Sequence, residues 1–559
     1  MQARLAALVE EAVAQALAEG DLPPLEERPE FRVEIPNDRS HGDFATNAAL
    51  ALARPARQNP RAIAQAIVRW LKVEPPIAEV SVAGPGFINF RLVPSWLNPV
   101  VTAARRPDWG SSAVGGGRRI LVEFVSANPT GPLNLVNARS AAYGDALCRV
   151  LAAAGYHVER EYYVNDAGNQ FQRFADAVRV RYMQAVEGRA DVELPEGAYP
   201  GEYIIGYVQA AVEALGGRGA VAALPEEERV ERLARWAVER IIAEAQDVLA
   251  RYRVRFDRWM RESELRERGV ADAVFRRLVA SGHTYVQDGA VWLRTTAFGD
   301  DKDRVLRRAD GTYTYIVPDI AYHADKLERC DIALDILGQD HHGYVPRLRA
   351  ALAALGYDTS RLEVLINQMV HLVRGGERVR MSKRRGEFVT MEEFLGEVDI
   401  DAARWFFAAR ALDSTMEFDL DLANLRTNEN PVYYVQYAHA RIASLLERAA
   451  EAGAWPVEAG AGGAEAAPYG YEEPAERALL WEIARFPEEV AQAAELRAPH
   501  RLAVYARELA AAYHTFYTDC RVLGAEPPVQ AARLLLSDAT RHTLARCLDL
   551  LGVSAPERM

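Results

Sequence analysis

Apolar and polar residues follow three different patterns along the chain, and the middle pattern is the most informative. From Arg118, the run RRILVEFV has the continuous apolar character of a buried strand, and a polar loop, a long helix, a glycine turn and a second strand follow it. This order predicts the opening of a doubly wound parallel sheet, in which the loop after the first strand faces a ligand. We therefore expect a Rossmann-type parallel-sheet domain over residues 109–400, with a mainly helical insertion at about 171–290.

The regions on either side of this domain have simpler patterns. Residues 1–108 alternate short strands with amphipathic helices, which predicts a small α+β domain, and the glycine-rich stretch SSAVGGGRR marks its end as a linker. Residues 401–559 are helical in pattern, apart from a low-complexity stretch at 454–476 that we expect to be a flexible surface loop. The predicted fold class is an α/β multidomain protein with an all-helical C-terminal domain.

Length and composition agree with several globular domains. The chain has 559 residues, of which 50% are hydrophobic and 26% are charged, so there is enough apolar material for several cores. No apolar run approaches membrane-spanning length, and the first residues are acidic where a signal peptide would be basic, which predicts a cytoplasmic protein with no membrane partner. The four cysteines form no CxxC pair, so we expect free thiols and no metal held tightly by the protein.

The net charge of −13 limits how the chain can bind a nucleic acid. A protein with this excess of acidic residues repels phosphate unless part of its surface is basic or aromatic. We therefore expect any nucleic-acid site to be confined to a basic or aromatic part of the surface.

Two segments of the middle domain place polar or basic residues where a ligand could use them. The loop SANPTGP, 126–132, directly follows the predicted buried strand, where a parallel sheet presents polar groups. The segment GGERVRMSKRRGEF, 375–388, concentrates cations around Lys383 between glycines, which suits the stabilisation of phosphate charge. The alternatives are an ordinary turn for the first segment and a solvated basic loop for the second.

These two loops, taken in this order, resemble the signatures of a known enzyme family. RMSK at 380–383 resembles the KMSKS-type signature of class I aminoacyl-tRNA synthetases, and SANPTGPL resembles the loop at their other signature. The resemblance covers nearly the whole chain, including HGDFATNAALALA, which is similar to an additional tRNA-contacting N-terminal domain. Segments similar to the arginine-specific members are EFVSANPTGPL at 123, YYVNDAGNQ at 162, DGTYTYIVPDIAYHADKLER at 310, LGQDHHGYVPRL at 337 and ENPVYYVQYAHARI at 429.

The resemblance implies an activity, its substrates and its partner. The implied activity is that of an arginine–tRNA ligase, which activates L-arginine with ATP to arginyl-adenylate and transfers it to the 3′-terminal adenosine of tRNA(Arg). Magnesium would accompany ATP through its phosphates, without a dedicated protein cage. Residues 401–559 would form the anticodon-binding domain, and we expect a monomer.

The resemblance also assigns residues to an ATP site. Lys383, Asn134 and Asn137 would be the catalytic residues, because they match positions that lie near the phosphates. The full set of matching ATP-binding positions is Pro129, Thr130, Gly131, Asn134, Val136, Asn137, Met381, Ser382 and Lys383.

An arginine pocket is expected from chemistry as well as from the resemblance. A guanidinium carries five donors and a permanent charge, so its pocket needs carboxylates and other acceptors. The matching candidates are Glu123, Asn128, Tyr315, Asp319 and Gln339. For each of them the alternative is an ordinary strand-end hydrogen bond or a surface carboxylate. His341 and His342 lie close by in sequence, but no third ligand at metal spacing accompanies them, so we expect no metal there.

The first signature departs from the family pattern. The family has His-x-Gly-His after Pro-Leu, whereas this chain has Asn134, Leu135, Val136 and Asn137. An asparagine amide donates a hydrogen bond but carries no charge, and a β-branched valine takes the place of the glycine that leaves room for the adenine ring. Two functions stay open at this point: a ligase that tolerates these residues, and a tRNA-binding synthetase paralogue with weak or no charging activity.

Aromatic residues on the predicted C-terminal helices are candidates for contact with tRNA. Tyr434 and Tyr437 lie in PVYYVQYAHAR, and Tyr513 lies in AAYHTFY. Their rings could stack on splayed bases. The alternative is that aromatic residues at helical spacing belong to the core of the domain.

Overall fold

The structure, a computed structural model, describes residues 1–25, 29–36, 38, 41–341, 343–379, 389–456 and 470–559. The predictions for Met381, Ser382 and Lys383, and the remark on His342, fall outside these residues. The Cα atoms group into two compact units. One consists of Met1–Ala103, Val457–Trp481 and Cys520–Leu536, and the other of Ala104–Pro456, Glu482–Asp519 and Ser537–Met559.

The first unit contains a four-stranded antiparallel sheet with helices, as the α+β pattern predicts. Its strands lie in the order β1-β2-β4-β3. Ile63 and Ile67, one helical turn apart on the third helix, are fully buried. The elements up to residue 103 are α1 (Gln2–Ala18), β1 (Val33–Glu34), β2 (Phe44–Thr46), α2 (Ala48–Ala56), α3 (Pro60–Trp70), β3 (Ile77–Ala83), β4 (Phe87–Leu92) and α4 (Asn98–Ala103).

The second unit is organised around a five-stranded sheet in which all neighbouring strands are parallel. These strands are β5 (Arg119–Glu123), β6 (His157–Val164), β7 (Arg258–Arg261), β11 (Ile332–Gly338) and β12 (Leu362–Asn367). They lie in the order β12-β11-β5-β6-β7. The chain moves outward from β5 to β7 and then returns to the other side of β5, so the strand order reverses between β5 and β11. This confirms the predicted Rossmann-type sheet. In sheets of this kind the ligand crevice lies where the strand order reverses, which here corresponds to the carboxyl ends of β5 and β11.

Helices and a small sheet fill the connections between these strands. Strands β8 to β10 form a separate antiparallel sheet. One detail of the predicted insertion at about 171–290 is wrong: β7 lies inside it and pairs with β6. A strand of four residues between helices carries too little alternation to be seen in the sequence. The other elements up to β12 are α5 (Leu135–Ala153), α6 (Gly168–Ala185), α7 (Tyr203–Ala214), α8 (Gly217–Ala222), α9 (Glu226–Arg251), α10 (Glu262–Glu267), α11 (Val270–Ala280), β8 (Thr284–Gln287), β9 (Ala290–Leu293), β10 (Arg304–Arg307), α12 (Ile316–Arg329) and α13 (Val345–Ala354).

The remainder of the described chain is mainly helical. The prediction of helices only from residue 401 onward misses β15, whose buried Met416 and Phe418 alternate with more open residues and which pairs in parallel with β13. Among the described helices, none combines the length and the apolar character needed to cross a membrane. All four cysteines are buried, and none of them forms a disulfide bond within the described chain. The elements are β13 (Val370–Arg374), β14 (Glu377–Arg378), α14 (Met391–Leu395), α15 (Ile400–Ala408), β15 (Met416–Asp419), α16 (Leu420–Asn424), α17 (Pro431–Glu451), α18 (Pro474–Glu495), α19 (His500–Asp519) and α20 (Pro527–Leu550).

Candidate active site

The loop after β5 begins with a strained turn at the ligand crevice. Val125 and Ser126 have φ angles of 68° and 36°, a region that costs a non-glycine residue roughly 1–3 kcal/mol. The turn is held from two sides: the Val125 N–H donates to Ser140 Oγ over 3.0 Å, and the Tyr163 N–H donates to Ser126 Oγ over 3.0 Å. Asn128, which follows, is exposed. Backbone strain of this kind concentrates at functional sites because it directs side chains toward a ligand.

The first signature forms the beginning of α5. Asn134 is the N-cap residue, and its Oδ1 accepts from the Asn137 N–H over 3.1 Å. In return, Asn137 Oδ1 accepts from the Asn134 N–H over 2.9 Å. The two asparagines thus form a reciprocal capping box, which satisfies two N–H groups that a helix start otherwise leaves without partners.

The chain that follows the second signature pairs with the first one. Asn134 forms an isolated antiparallel bridge with Thr390. On either side of this bridge, the Leu135 N–H donates to the Val389 carbonyl over 3.2 Å and the Met391 N–H donates to the Leu133 carbonyl over 2.7 Å. The structure therefore brings together two segments that are some 250 residues apart in sequence, as the resemblance requires of the two signatures.

Two residues that the sequence reasoning missed fasten α5 to its surroundings. Asn367, at the carboxyl end of β12, donates from Nδ2 to the Val136 carbonyl over 3.0 Å. The fully buried Arg139 donates to the carbonyls of Gln368, Ser414 and Ala411 over 3.1, 2.9 and 2.6 Å. Burial lowers the pKa of the Arg139 guanidinium to about 10. Both side chains fix the position of the first turn of α5.

Tyr203 of α7 supports the predicted ATP-binding loop from the other side. Its hydroxyl donates to the Thr130 carbonyl over 2.8 Å. A Cβ atom at Gly131 would lie 2.6 Å from this hydroxyl oxygen, so the close approach of the ring requires glycine there. Pro129 and Thr130 are buried, and Gly131 is half-buried. Nothing in the sequence marks Tyr203 as a partner of this loop, because the contact joins two separate elements.

Asp319 is the predicted arginine-binding residue with the most distinctive surroundings. It lies in the first turn of α12, and its Oδ2 accepts from the hydroxyl of Tyr344 over 2.5 Å. Burial raises the pKa of the Asp319 carboxyl. Tyr315, directly before α12, is 66% exposed, and Gln339, directly after β11, is exposed as well. Asp319, Tyr315 and Gln339 thus belong to elements that meet at the carboxyl end of β11, next to the point where the strand order reverses.

Glu123 has a different environment from the other predicted arginine ligands. It is only 5% exposed, and its carboxylate forms an ion pair with Lys326 and accepts from the Tyr322 hydroxyl over 2.9 Å. Lys326 also binds Asp335 Oδ1 over 2.6 Å. Burial acts to lower the pKa of Lys326, but the Asp335 and Glu123 carboxylates outweigh it and raise this pKa. A substrate guanidinium that contacts Glu123 would therefore share this carboxylate with the ammonium group of Lys326.

The same buried cluster reaches the first turn of α12. His323 contacts the Asp319 carbonyl through Nδ1 over 2.7 Å and Asp335 Oδ2 through Nε2 over 2.9 Å. Burial acts to lower the pKa of His323, while its hydrogen bond to Asp335 raises it, and the net shift is upward. The cluster thus links Asp319 to the charges of Lys326 and Glu123. Within the described chain, no group of three or more His, Cys, Asp or Glu side chains has the arrangement of a metal site.

The predicted tRNA-binding tyrosines differ in their exposure. Tyr437 is 37% exposed, and its ring stacks on His514 with centroids 6.1 Å apart and an interplanar angle of 27°. Tyr434 is half-buried beside the same histidine. Tyr513 is 0% exposed. Its ring has no face open to a base, so the expectation for Tyr513 is corrected: it is a core residue, which helical spacing alone did not distinguish from a surface one.

Three family models match consecutive parts of the chain. The arginyl tRNA synthetase N terminal domain matches residues 3–92, the class I (R) tRNA synthetase catalytic domain matches residues 108–417, and the DALR anticodon binding domain matches residues 435–559. The catalytic match contains the strained turn, the capping box and Asp319.

Individual relatives agree with these matches over the full length. The arginine–tRNA ligase of Symbiobacterium thermophilum is 49% identical over 553 residues, 98% of this chain and 97% of that protein. The arginine–tRNA ligase of Moorella thermoacetica is 47% identical over 562 residues, 100% of this chain and 98% of that protein. The solved arginyl-tRNA synthetase of Thermus thermophilus is 25% identical, covers 99% of this chain and 100% of its own, and superposes with a TM-score of 0.76. With all three domains matched and these identities over nearly its whole length, the chain belongs to the arginyl-tRNA synthetase family.

Proposed function

We propose that this chain joins L-arginine to tRNA(Arg) with ATP, and that its crevice at β5 and β11 performs the activation step. The observation that carries this proposal is the bridge between Asn134 and Thr390, which places the chain next to the second signature against the first one. The two signatures of a class I ligase act on one ATP molecule. A crevice that joins them at the reversal of a parallel sheet has the arrangement that this chemistry needs.

The activation step requires positioning more than proton transfer. A carboxylate oxygen of arginine attacks the α-phosphorus of ATP in line, the bond from that phosphorus to the bridging oxygen breaks, and pyrophosphate leaves. The products are arginyl-adenylate and pyrophosphate. Orientation of the two substrates and compensation of phosphate charge supply the rate. The 3′-terminal ribose hydroxyl of the tRNA then attacks the arginyl carbonyl carbon, and AMP leaves.

The ATP-binding role falls to the loop between β5 and α5 and to the second signature. Pro129, Thr130 and Gly131 supply the loop, which Tyr203 supports through the Thr130 carbonyl. Asn134, Val136 and Asn137 supply the helix start, where the N-terminal end of α5 favours negative charge. Met381, Ser382 and Lys383 complete the set by their match to the second signature.

The arginine-binding role centres on Asp319. A carboxylate that is largely withdrawn from water and oriented by Tyr344 suits a charge-assisted bond to a guanidinium. Tyr315, Gln339 and Asn128 lie at exposed positions around the carboxyl ends of β5 and β11, where they are free to contact the rest of the amino acid. Glu123 contributes its charge from the buried cluster.

The tRNA-binding role outside the crevice falls to α17 and α19. Tyr437 and Tyr434 lie beside His514, and Arg441 lies 4.1 Å from the centre of the Tyr517 ring. Exposed rings next to an arginine form a local surface for unpaired bases in a protein with a net charge of −13.

The alternative function, a tRNA-binding paralogue with weak or no charging activity, has no support from the relatives. Proteins that are 47–49% identical over the full length carry the name arginine–tRNA ligase. The finer expectations of magnesium carried by ATP, a monomer and a cytoplasmic location stay part of the proposal.

The direct test is arginine attachment to total tRNA by the purified protein with ATP and magnesium. We expect attachment of labelled arginine and of no other amino acid. Binding of tRNA without attachment of arginine would contradict the proposal and favour the paralogue. The purified chain can be tested as it is, because all three family models match it.

A further inference from the structure

The two hydrogen bonds of His323 determine how many protons its ring carries. Nδ1 lies 2.7 Å from the Asp319 carbonyl oxygen, which can only accept, so Nδ1 must carry a proton. Nε2 lies 2.9 Å from Oδ2 of Asp335, which also accepts when this carboxyl is ionised. A neutral imidazole has one N–H group, whereas this geometry uses two. Next to an ionised Asp335, His323 is therefore an imidazolium.

Lys326 keeps Asp335 in its ionised form. The ammonium group donates to Oδ1 of Asp335 over 2.6 Å, and both residues are fully buried. Burial acts to raise the pKa of Asp335, but the charge of Lys326 and the hydrogen bond from His323 outweigh it and lower this pKa. Each oxygen of the carboxylate thus has its own donor, and the proton between Asp335 and His323 stays on the imidazole.

The register of the central strands explains why a second cation is needed here. Glu123 and Asp335 are partners on the adjacent parallel strands β5 and β11, so two buried carboxylates lie side by side. Lys326 pairs with both of them, but one ammonium compensates only one of the two negative charges. His323, one turn before Lys326 on the same face of α12, supplies the second positive charge. The other titratable groups of this cluster are Tyr322, Glu161 and Arg329.

The imidazolium connects the first turn of α12 to the central sheet. Asp319 lies in this turn, where His323 binds its main-chain carbonyl and the Tyr344 hydroxyl binds its carboxylate. His323 is bound in turn to Asp335 on β11. Burial raises the pKa of the Asp319 carboxyl, and the nearby charge of His323 acts to lower it. The ring therefore acts on both the position and the charge of Asp319.

We propose that His323 is a positioning residue of the arginine site: as a buried imidazolium it fixes the Asp319 carbonyl to Asp335, and so orients the Asp319 carboxylate toward the substrate guanidinium. The inference rests on the proposed function, in which Asp319 binds the guanidinium. His323 itself does not contact arginine. The alternative is that His323 only stabilises the fold as one member of the buried cluster.

Two amide substitutions separate the two hydrogen bonds of the ring. The amide nitrogen of asparagine is as many bonds from Cα as Nδ1 of histidine, so His323→Asn keeps a donor for the Asp319 carbonyl and loses the one for Asp335. The amide nitrogen of glutamine corresponds in the same way to Nε2, so His323→Gln keeps the donor for Asp335 and loses the one for Asp319. Both variants are uncharged at this position.

The measurement is equilibrium binding of labelled arginine to the purified protein, without ATP or tRNA, together with the melting temperature. We expect the Kd for arginine to rise about 10-fold in His323→Gln and about 3-fold or less in His323→Asn. The melting temperature should fall further in His323→Asn, because a hydrogen bond to a buried carboxylate stabilises more than one to a carbonyl. Affinity and stability thus change in opposite orders, whereas a purely structural role gives the same order for both.

His439 offers a matched control outside the crevice. It is 3% exposed, and its Nδ1 lies 2.9 Å from the carbonyl oxygen of Pro556. His439→Gln removes this contact by the same exchange. We expect a lower melting temperature and an unchanged Kd for arginine.

The charge of the ring is measured by nuclear magnetic resonance on protein with ¹⁵N-labelled histidine. At about pH 7.5, about one unit above the usual histidine pKa, we expect one ring with protons on both nitrogens, and this signal should be absent from His323→Gln. Saturating arginine should shift the signal, because the guanidinium binds next to Asp319.

Three results overturn the inference. They are a neutral His323 ring at this pH, an arginine affinity in His323→Asn that is no better than in His323→Gln, and a signal of the doubly protonated ring that arginine leaves unchanged. The last result needs only the wild type, so it decides the matter even if neither variant folds. Absence of arginine binding to the wild type would instead contradict the proposed function, so the two failures are distinguishable.

Discussion

The hydroxyl of Tyr344 donates to Oδ2 of Asp319 over 2.5 Å, and this contact connects α13 with the first turn of α12. Burial raises the pKa of Asp319, whereas the hydrogen bond from Tyr344 lowers it and so favours the ionised carboxylate. The Tyr344 hydroxyl therefore favours the charged form of the residue proposed to bind the guanidinium, although Tyr344 makes no contact of its own with the substrate in our proposal.

Arginine affinity is predicted to depend on pH through Asp319. Because the pKa of Asp319 is raised, its carboxyl gains a proton at a higher pH than an exposed carboxyl does, and the KM for arginine should rise as the pH falls through that pKa. Asp319→Asn should raise this KM at neutral pH by about 30-fold or more, the effect of roughly 2 kcal/mol, and should abolish the dependence. His323 and His341 also face Asp319. A pH dependence of the KM for arginine that persists in Asp319→Asn would therefore be due to these histidines.

Tyr344→Phe is predicted to shift the same profile. Removal of the hydroxyl withdraws the bond that lowers the pKa of Asp319, so the rise in the KM for arginine should begin at a higher pH. Well above that pH the variant should bind arginine nearly as the wild type does. Steady-state kinetics over a pH series would check this, and a uniform loss at all pH values would contradict it.

Removal of Lys326 is predicted to destabilise the protein. The substitution Lys326→Met leaves Glu123 and Asp335 buried without their cation, which costs about 3–5 kcal/mol at neutral pH. Lys326 helps to lower the pKa of Asp335, so its removal makes protonation of this carboxyl easier, and the penalty is relieved as the pH falls. The difference in melting temperature between variant and wild type should therefore narrow in mildly acidic buffer. Lys72→Met, at an exposed position, should show no difference at either pH.

Gly131 and Tyr203 are predicted to behave as a coupled pair. Gly131→Ala places a methyl group 2.6 Å from the Tyr203 hydroxyl oxygen, so the ATP-binding loop must move, at a cost of about 1–3 kcal/mol. We expect a higher KM for ATP in Gly131→Ala. The same change in a Tyr203→Ser background should cost less, because the ring is absent. A double-mutant cycle measures the coupling, and strictly additive effects would contradict the contact.

Tyr437 is predicted to contribute to tRNA affinity without affecting the melting temperature. Tyr437→Ala removes an exposed ring and should weaken tRNA binding by about 1–3 kcal/mol, the usual value of one stacked base. Tyr437→Phe should retain most of the affinity, and Tyr513→Phe, at a fully buried position, should not change it. Direct binding of tRNA(Arg) to the three variants decides between a base-stacking and a structural role for Tyr437.

Much of the fold follows from patterns that a sequence displays locally. The continuous apolar run at Ile120, Leu121 and Val122 correctly predicted the central strand. The ligand edge that the polar loop after it indicates stays a prediction. Strands β7 and β15 were missed because each has four residues and pairs with a strand that is distant in sequence. Strands of this length are defined by their hydrogen bonds to a partner strand, which the sequence pattern does not show.

The site was predictable to the extent that its residues follow strand ends or match the family signatures. Asn128 and Asp319 belong to this group, and their roles stay predictions. Tyr203 was not predictable, because it contacts Thr130 from 73 residues away in the sequence. The pattern of apolar and polar residues around either position does not indicate this contact. The ion pair between Glu123 and Lys326 was also missed, since a lysine on a helix usually faces solvent.

Arg139 connects, through hydrogen bonds, two parts of the second unit that bind different substrates in our proposal. Its guanidinium joins the helix of the first signature to Ala411 and Ser414, in the chain that leads through α16 to α17, the helix that we propose to contact tRNA. If occupation of α17 by tRNA shifts these carbonyls, it changes the affinity of α5 for ATP. Thermodynamic linkage then requires ATP to change the affinity for tRNA by the same factor, and removal of the Arg139 side chain should reduce both factors equally.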